Sequence, residues 1–221
     1  MDKRVASYME AEYTKVELLK ETDHNSIWLA KDGTGQIVVV KHLSTTGLPF
    51  RKLKEIAHPL WPRILFTAEE DGTTWVVEEY VSGNTLSAEI ETGRRFSPTE
   101  VENIMLQLLD GMTAFHQAGI IHRDIKPSNI MVENGSNVRL MDLGIARINA
   151  AGKFSSTGFI GTPEYAAPEQ MIPEQNGLTA SINATTDIYA LGITFYELLT
   201  DRNPMSCDTE AETMSKQMKE S

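Results

Sequence analysis

The sequence predicts an α+β chain of two parts, a small antiparallel β lobe followed by a mainly helical lobe. Three observations carry this. Residues 13–80 hold short β-branched and aromatic runs punctuated by Asp-Gly turns, at Asp32-Gly33 and Asp71-Gly72. Residues 97–119 hold one long amphipathic period with its own start and stop signals. Between the two patterns, Val81-Ser82-Gly83-Asn84 reads as a hinge, so residues 1–81 and 82–221 are the expected units.

Residues 1–12 read as a helical or loose lead-in, and strands are expected at 13–20 and 26–31. The turn Asp32-Gly33-Thr34-Gly35 leads into a third strand at 36–43, which contains Ile37-Val38-Val39-Val40-Lys41. A β-branched run closing on a lysine reads as a buried strand with one polar residue turned into a cleft. The plainer reading is a strand-end lysine whose ammonium reaches water. A short helix is expected over 46–57, ahead of His58-Pro59, and two more strands at 63–69 and 73–80.

Ser97-Pro98-Thr99-Glu100 opens a helix with an N-cap serine, a proline in the first turn and a glutamate at the third position. Val101, Ile104, Met105, Leu108, Leu109, Met112 and Phe115 then recur at spacings of three and four, which makes one apolar face. Gly119 ends it. The methionines on that stripe read as core filler.

Composition narrows the function classes. At 41% hydrophobic residues, 221 residues build a real core in one generous domain or two small lobes. A net charge of -11 argues against a nucleic-acid binder, which needs a basic face. Cys207 is the single cysteine, so no intrachain disulfide forms. There is no run of 18 apolar residues and no signal-peptide pattern, so a chain without a membrane segment, in the cytoplasm, is expected.

The most informative stretch runs from His122 to Gly144. Asn134-Gly135 separates two short apolar runs, 130–132 and 138–141, and reads as a hairpin turn. A hairpin brings its ends together, so Asp124, Lys126 and Asn129 at the entry are expected beside Asp142 at the exit. Two carboxylates, an amide and an ammonium at one gap suit a divalent cation and a phosphate. Taken singly, the two acids read as ordinary turn residues.

The pattern H-R-D-x-x-x-x-N, followed by D-x-G, resembles the catalytic and metal-binding loops of eukaryotic-type serine/threonine protein kinases. The resemblance implies a bilobal protein-kinase-like fold and transfer of the ATP γ-phosphate to protein serine or threonine, with ATP and Mg2+ as cofactors. By the same resemblance, Asp124 orients the substrate hydroxyl, Lys126 neutralises the transferred phosphate, and Asn129 and Asp142 hold magnesium. Lys41 would anchor the α- and β-phosphates. Ile27, Val39, Glu79 and Val81 would line the nucleotide site, and Glu55 would pair with Lys41.

The resemblance continues downstream. Residues 161–169, Gly-Thr-Pro-Glu-Tyr-Ala-Ala-Pro-Glu, resemble the end of the family's activation segment. There Thr162 would bond near Asp124 and Lys126, and Glu169 would pair with an arginine from later in the domain. Ser155, Ser156 and Thr157 are candidate phosphorylation sites, with Arg123 as the phosphate's partner. Asp187-Ile188-Tyr189-Ala190-Leu191-Gly192 resembles the start of the family's central helix, whose aspartate braces the catalytic loop.

Three departures stand out. The Gly-rich loop is missing: Lys20, Thr22 and Asn25 stand where glycines are expected, and Glu21 and Asp23 weaken a phosphate cradle. Asn25 tolerates the left-handed region, so one turn of the loop is expected to survive. The helix at 46–57 has Glu55 as its only acid, and Glu78 is an unusual polar residue at the gatekeeper position. Finally, residues 208–221 read as a polar tail where the family has further helices. That truncation would uncover the central helix and implies a dimer, a partner or marginal stability. The reading is a serine/threonine protein kinase with a protein substrate. Its rivals are a pseudokinase acting as a binding module, favoured by the altered loop, and a small-molecule kinase, opposed by residues 161–169.

Overall fold

In the computed structural model, which describes residues 4–23, 25–143, 162–171 and 182–220, the chain divides into two units, Met1–Val81 and Ser82–Ser221. Gly144, Ser155, Ser156, Thr157 and Gly161 lie outside the described residues.

The first unit is a five-stranded antiparallel sheet in the order β1-β2-β3-β5-β4. Its strands are β1 (Thr14–Glu21), β2 (Asn25–Lys31), β3 (Ile37–Leu43), β4 (Ile64–Glu70) and β5 (Thr73–Glu79). The period of two sorts β3 and β5 between faces. Val38, Val40 and Val77 join Ala30 under Met9 of helix α1 (Arg4–Glu12) and form the unit's core. Full burial of each such valine contributes about 1.5–3 kcal/mol. Glu70 on β4 caps α1, accepting the Val5 N–H at 3.1 Å and the Ala6 N–H at 3.3 Å. A carboxylate there satisfies orphan donors and complements the helix dipole. Register places Val39 opposite Glu78 and Lys41 opposite Val76, so these four side chains belong to the other face.

Two local expectations change. The helix α2 is confined to Phe50–Glu55 because Gly47 is left-handed (φ 73) and Pro49 occupies the N-cap. Asn25 is not left-handed: it begins β2, pairs with Leu43, and its Oδ1 accepts the Ser44 N–H at 3.2 Å. Strand pairing decides its backbone. The β1–β2 turn closes through the Thr22 N–H on the Asn25 carbonyl (2.9 Å) and the Asn25 N–H on Thr22 Oγ1 (3.0 Å).

The second unit is mainly helical. Among the described residues its α-helices are α3 (Leu86–Glu91), α4 (Pro98–Gln117), α5 (Ala184–Thr200) and α6 (Glu210–Glu220). A small sheet, β6 (Asn84–Thr85), β7 (Ile130–Glu133) and β8 (Asn137–Leu140), lies among them. Helix α4 starts as its sequence directs. Ser97 and Glu100 form a capping box, and Val101, Ile104, Leu108, Met112 and Phe115 are buried. Gln107 on α4 clamps the β7–β8 hairpin, donating to the Ser136 carbonyl and accepting the Val138 N–H, both at 2.9 Å. Asn134 (φ 51) and Gly135 (φ 80) turn the hairpin with the positive φ angles such a turn demands.

The stretch read as a polar tail forms helix α6. Thr209 caps it, accepting the Glu212 N–H at 3.2 Å, and Thr213 and Gln217 are buried. Gln217 Nε2 donates to the carbonyls of Pro163 and Glu164 at 3.0 Å, and the Tyr189 hydroxyl donates to Gln217 Oε1. Polar residues are buried here because each finds a partner. On α5, Ile188, Tyr196 and Leu199 are about half exposed. No helix among the described residues is long and apolar enough to cross a membrane.

Candidate active site

The segment from His122 to Lys126 is irregular backbone ahead of a single 3-10 turn at Pro127–Asn129, so its polar groups need partners outside regular structure. Asp187, fully buried on α5, supplies them. Its Oδ2 accepts the His122 N–H at 2.9 Å and lies 2.8 Å from His116 Nε2, while its Oδ1 accepts the Arg123 N–H at 2.8 Å. Arg123 is held in the left-handed region (φ 67), a conformation a long side chain resists. Its carbonyl accepts Gln170 Nε2 at 2.9 Å, so the strained peptide is gripped on both sides. Thr186, beside Asp187, donates to Glu169 Oε1 at 2.6 Å. The carboxylate that was expected to meet a later arginine thus has a threonine partner.

His122 is buried, and burial pushes its imidazole pKa down, against the pull of Asp187 and Asp124. A neutral ring carries one donor and one acceptor. Its Nε2 faces the Met141 carbonyl at 3.2 Å, and its Nδ1 accepts the Asp124 N–H at 3.4 Å. One histidine therefore links the hairpin's entry to its exit. A second link runs from the Met141 N–H to the Asn129 carbonyl at 2.7 Å.

Asp124, Lys126 and Asn129 form one cluster. Asn129 Nδ2 donates to the carbonyl and to Oδ2 of Asp124, both at 2.8 Å. Two acceptors at one amide nitrogen fix which way the amide points. Lys126 Nζ lies 3.2 Å from Asp124 Oδ2 and donates to Thr162 Oγ1 at 2.8 Å. Asp142 follows β8 directly after Met141. It is exposed and left-handed (φ 49), the second non-glycine residue of this site in that region. A cavity of about 320 Å³ opens beside the cluster, lined by Ser87, Ile90, Glu91, Lys126, Thr162 and Tyr165 among others. Tyr165 is fixed by donating to Glu197 Oε2 at 2.5 Å.

In the first unit, Lys41 is 4% exposed and its Nζ lies 2.8 Å from Glu78 Oε2. Ile27 pairs with Lys41 across β2 and β3, and Val39 and Val81 are buried. Glu79 is half-buried, with its N–H on the Arg63 carbonyl at 3.0 Å. Glu55 does not join this group. It is exposed at the end of the short α2 and makes no ion pair among the described residues, so its expected pairing with Lys41 is corrected. The truncated helix ends before it can carry that carboxylate inward. Sequence reasoning missed Glu78 as the partner of Lys41, although it marked that residue as anomalous. It also missed His116, Gln170 and Gln217. For α6 a signal existed, since Thr209-x-x-Glu212 is a capping-box pattern.

Comparison with known proteins adds the following. A family model described as the protein kinase domain matches residues 12–221. A probable serine/threonine-protein kinase, pknA2 of Bifidobacterium longum, is 36% identical over 166 residues, covering 75% of this chain and 21% of that protein. The serine/threonine-protein kinase PrkC of Bacillus subtilis is 38% identical over 148 residues, covering 66% of this chain and 22% of that protein. Cell division control protein 2 homolog 3 of Trypanosoma brucei brucei is 30% identical over 197 residues, covering 84% of this chain and 62% of that protein. The chain spans about a fifth of the length of the bacterial relatives it matches.

Proposed function

This chain belongs to the protein kinase domain family, and we propose that it transfers the γ-phosphate of ATP to serine or threonine hydroxyls of a protein. The observation that carries this reading is the Asp124–Lys126–Asn129 cluster, a carboxylate held by an amide and an ammonium. Phosphoryl transfer asks a protein mainly for positioning and charge neutralisation. Asp124, oriented by Asn129, aligns the substrate hydroxyl and accepts its proton. Lys126, shared between Asp124 and Thr162, neutralises charge on the phosphoryl group in transit. Lys41 holds the α- and β-phosphates, Ile27, Val39 and Val81 give the adenine apolar contact, and Glu79 and Val81 bind it through their backbone. The cavity beside Lys126 takes the peptide that carries the hydroxyl.

The donor set fits Mg2+. With both amide hydrogens of Asn129 turned to Asp124, its Oδ1 points elsewhere and accepts no hydrogen bond from a described residue. That oxygen and the Asp142 carboxylate are the hard ligands this ion prefers. Among the described residues no group of three or more His, Cys, Asp or Glu side chains could hold a metal. Magnesium takes few protein ligands and completes its shell with water and substrate phosphates. When bound, Mg2+ supplies neutralisation of phosphate charge. Asp142→Asn tests the assignment. Magnesium-dependent ATP turnover is expected to fall by about 100-fold or more; phosphate incorporation equal to the parent's would overturn it. The altered β1–β2 turn is expected to weaken ATP affinity, while the Asp124–Lys126–Asn129 cluster supports an enzyme over a pure binding module.

A further inference from the structure

Lysine 41 is a buried ammonium, and a buried ammonium persists only where a carboxylate and hydrogen bonds replace its lost water. Glu78 provides that carboxylate at 2.8 Å, with the two side chains 5% and 6% exposed. The pairing follows from strand register. Lys41 sits opposite Val76 and Glu78 sits opposite Val39, so Lys41 and Glu78 are diagonal neighbours on one face of the antiparallel β3–β5 pair. Diagonal neighbours lie within reach of long side chains.

We propose that Glu78 is the positioning residue for Lys41, and that this chain builds its lysine–carboxylate pair inside the sheet. The inference rests on the kinase reading for what Lys41 does, while the pair itself stands on geometry. Both partners are on adjacent strands, so sheet register holds the ammonium in place and the placement of α2 does not. An ammonium has three donors, and the pair with Glu78 fixes where Nζ sits on that face of the sheet. The short α2, with Glu55 exposed at its end, is therefore not needed to seat the lysine.

The test uses the full chain and two readouts, Mg·ATP binding by calorimetry and phosphate transfer with KM for ATP resolved from kcat. Glu78→Gln is expected to weaken Mg·ATP binding and raise KM by about 10–100-fold, the loss typical of a charged hydrogen bond. Glu78→Asp, which keeps the charge but shortens its reach, is expected to fall between Gln and the parent. A purely structural role would lower the folded fraction, and with it kcat, at constant KM. Glu55→Gln is expected to leave KM within about twofold of the parent. Lys41 reactivity gives a third readout that needs no activity. Loss of the carboxylate releases the Lys41 amine from its ion pair, so its acetylation, read by mass spectrometry, is expected to run several-fold faster in Glu78→Gln. Unchanged KM, ATP binding and acetylation in both Glu78 variants would overturn the proposal, as would a larger effect from Glu55→Gln. A parent chain that binds Mg·ATP but transfers no phosphate would overturn the kinase reading alone, and the binding and acetylation results would still judge Glu78.

Discussion

The carboxylate of Asp187 and the backbone N–H of Arg123 meet at 2.8 Å, on a peptide held at φ 67. A fully buried acid on a capped helix thus holds a strained turn one residue before Asp124. Strain of this kind persists where surrounding contacts over-determine it. Here they do, through Asp187 on one side of the Arg123 residue and Gln170 on the other.

Asp187→Ala removes the acceptor for two backbone N–H groups and one imidazole. The expected loss of unfolding free energy is about 3–5 kcal/mol, read by urea denaturation. A change below about 1 kcal/mol would show that the loop holds its shape without the brace.

At Gly83 a side chain has no room. A Cβ there would lie 2.2 Å from the Val132 carbonyl oxygen, and φ is 146. Gly83→Ala is expected to destabilise by about 1–3 kcal/mol, seen as a lowered thermal midpoint. A midpoint at or above that of the parent would contradict the close approach of residues 83 and 132.

Asp124→Ala separates chemistry from binding. Because Asp124 is assigned to the hydroxyl and Lys41 to the phosphates, turnover is expected to drop by about 100- to 10,000-fold. Mg·ATP affinity measured by calorimetry is expected to stay within about threefold. Equal losses in both would assign Asp124 to nucleotide binding.

Stability is expected to fall on mild acidification. Burial lowers the pKa of His122 from its ordinary 6.5, and burial followed by the charge of Lys15 lowers that of His42. Below about pH 6.5 the unfolded chain takes up protons that the folded histidines refuse, so unfolding becomes easier as pH falls toward their folded values. The thermal midpoint is expected to be level from pH 7 to 8 and to decline below 6.5. His122→Gln is expected to flatten part of that decline, with His42 responsible for the rest. An unchanged slope in that variant would show that His122 is already charged in the folded state.

Much of the architecture is legible in the order of the residues. Helix α4 begins at its capping box and the hairpin turns at Asn134-Gly135, because each depends on contacts within a few residues. The Asp124–Lys126–Asn129 spacing was equally local. What escaped notice depended on pairing across long sequence separations. That Glu78 meets Lys41 follows from the β3–β5 register, which no neighbouring residue announces. That Gln217 is buried follows from two carbonyls at Pro163 and Glu164, far away in the chain. Helix α2 is shorter than the span 46–57 because Gly47, at φ 73, and Pro49, at the N-cap, delay its start. Composition hid α6, whose polar side chains suggested a tail although Thr209 and Glu212 spelled a helix start.

The most direct measurement is transfer of labelled γ-phosphate from ATP to protein, with and without Mg2+, followed by identification of the phosphorylated amino acid. The account expects magnesium-dependent labelling of serine or threonine that disappears in Asp142→Asn. Labelling that persists in that variant, or a parent chain that binds Mg·ATP and labels nothing, would contradict it.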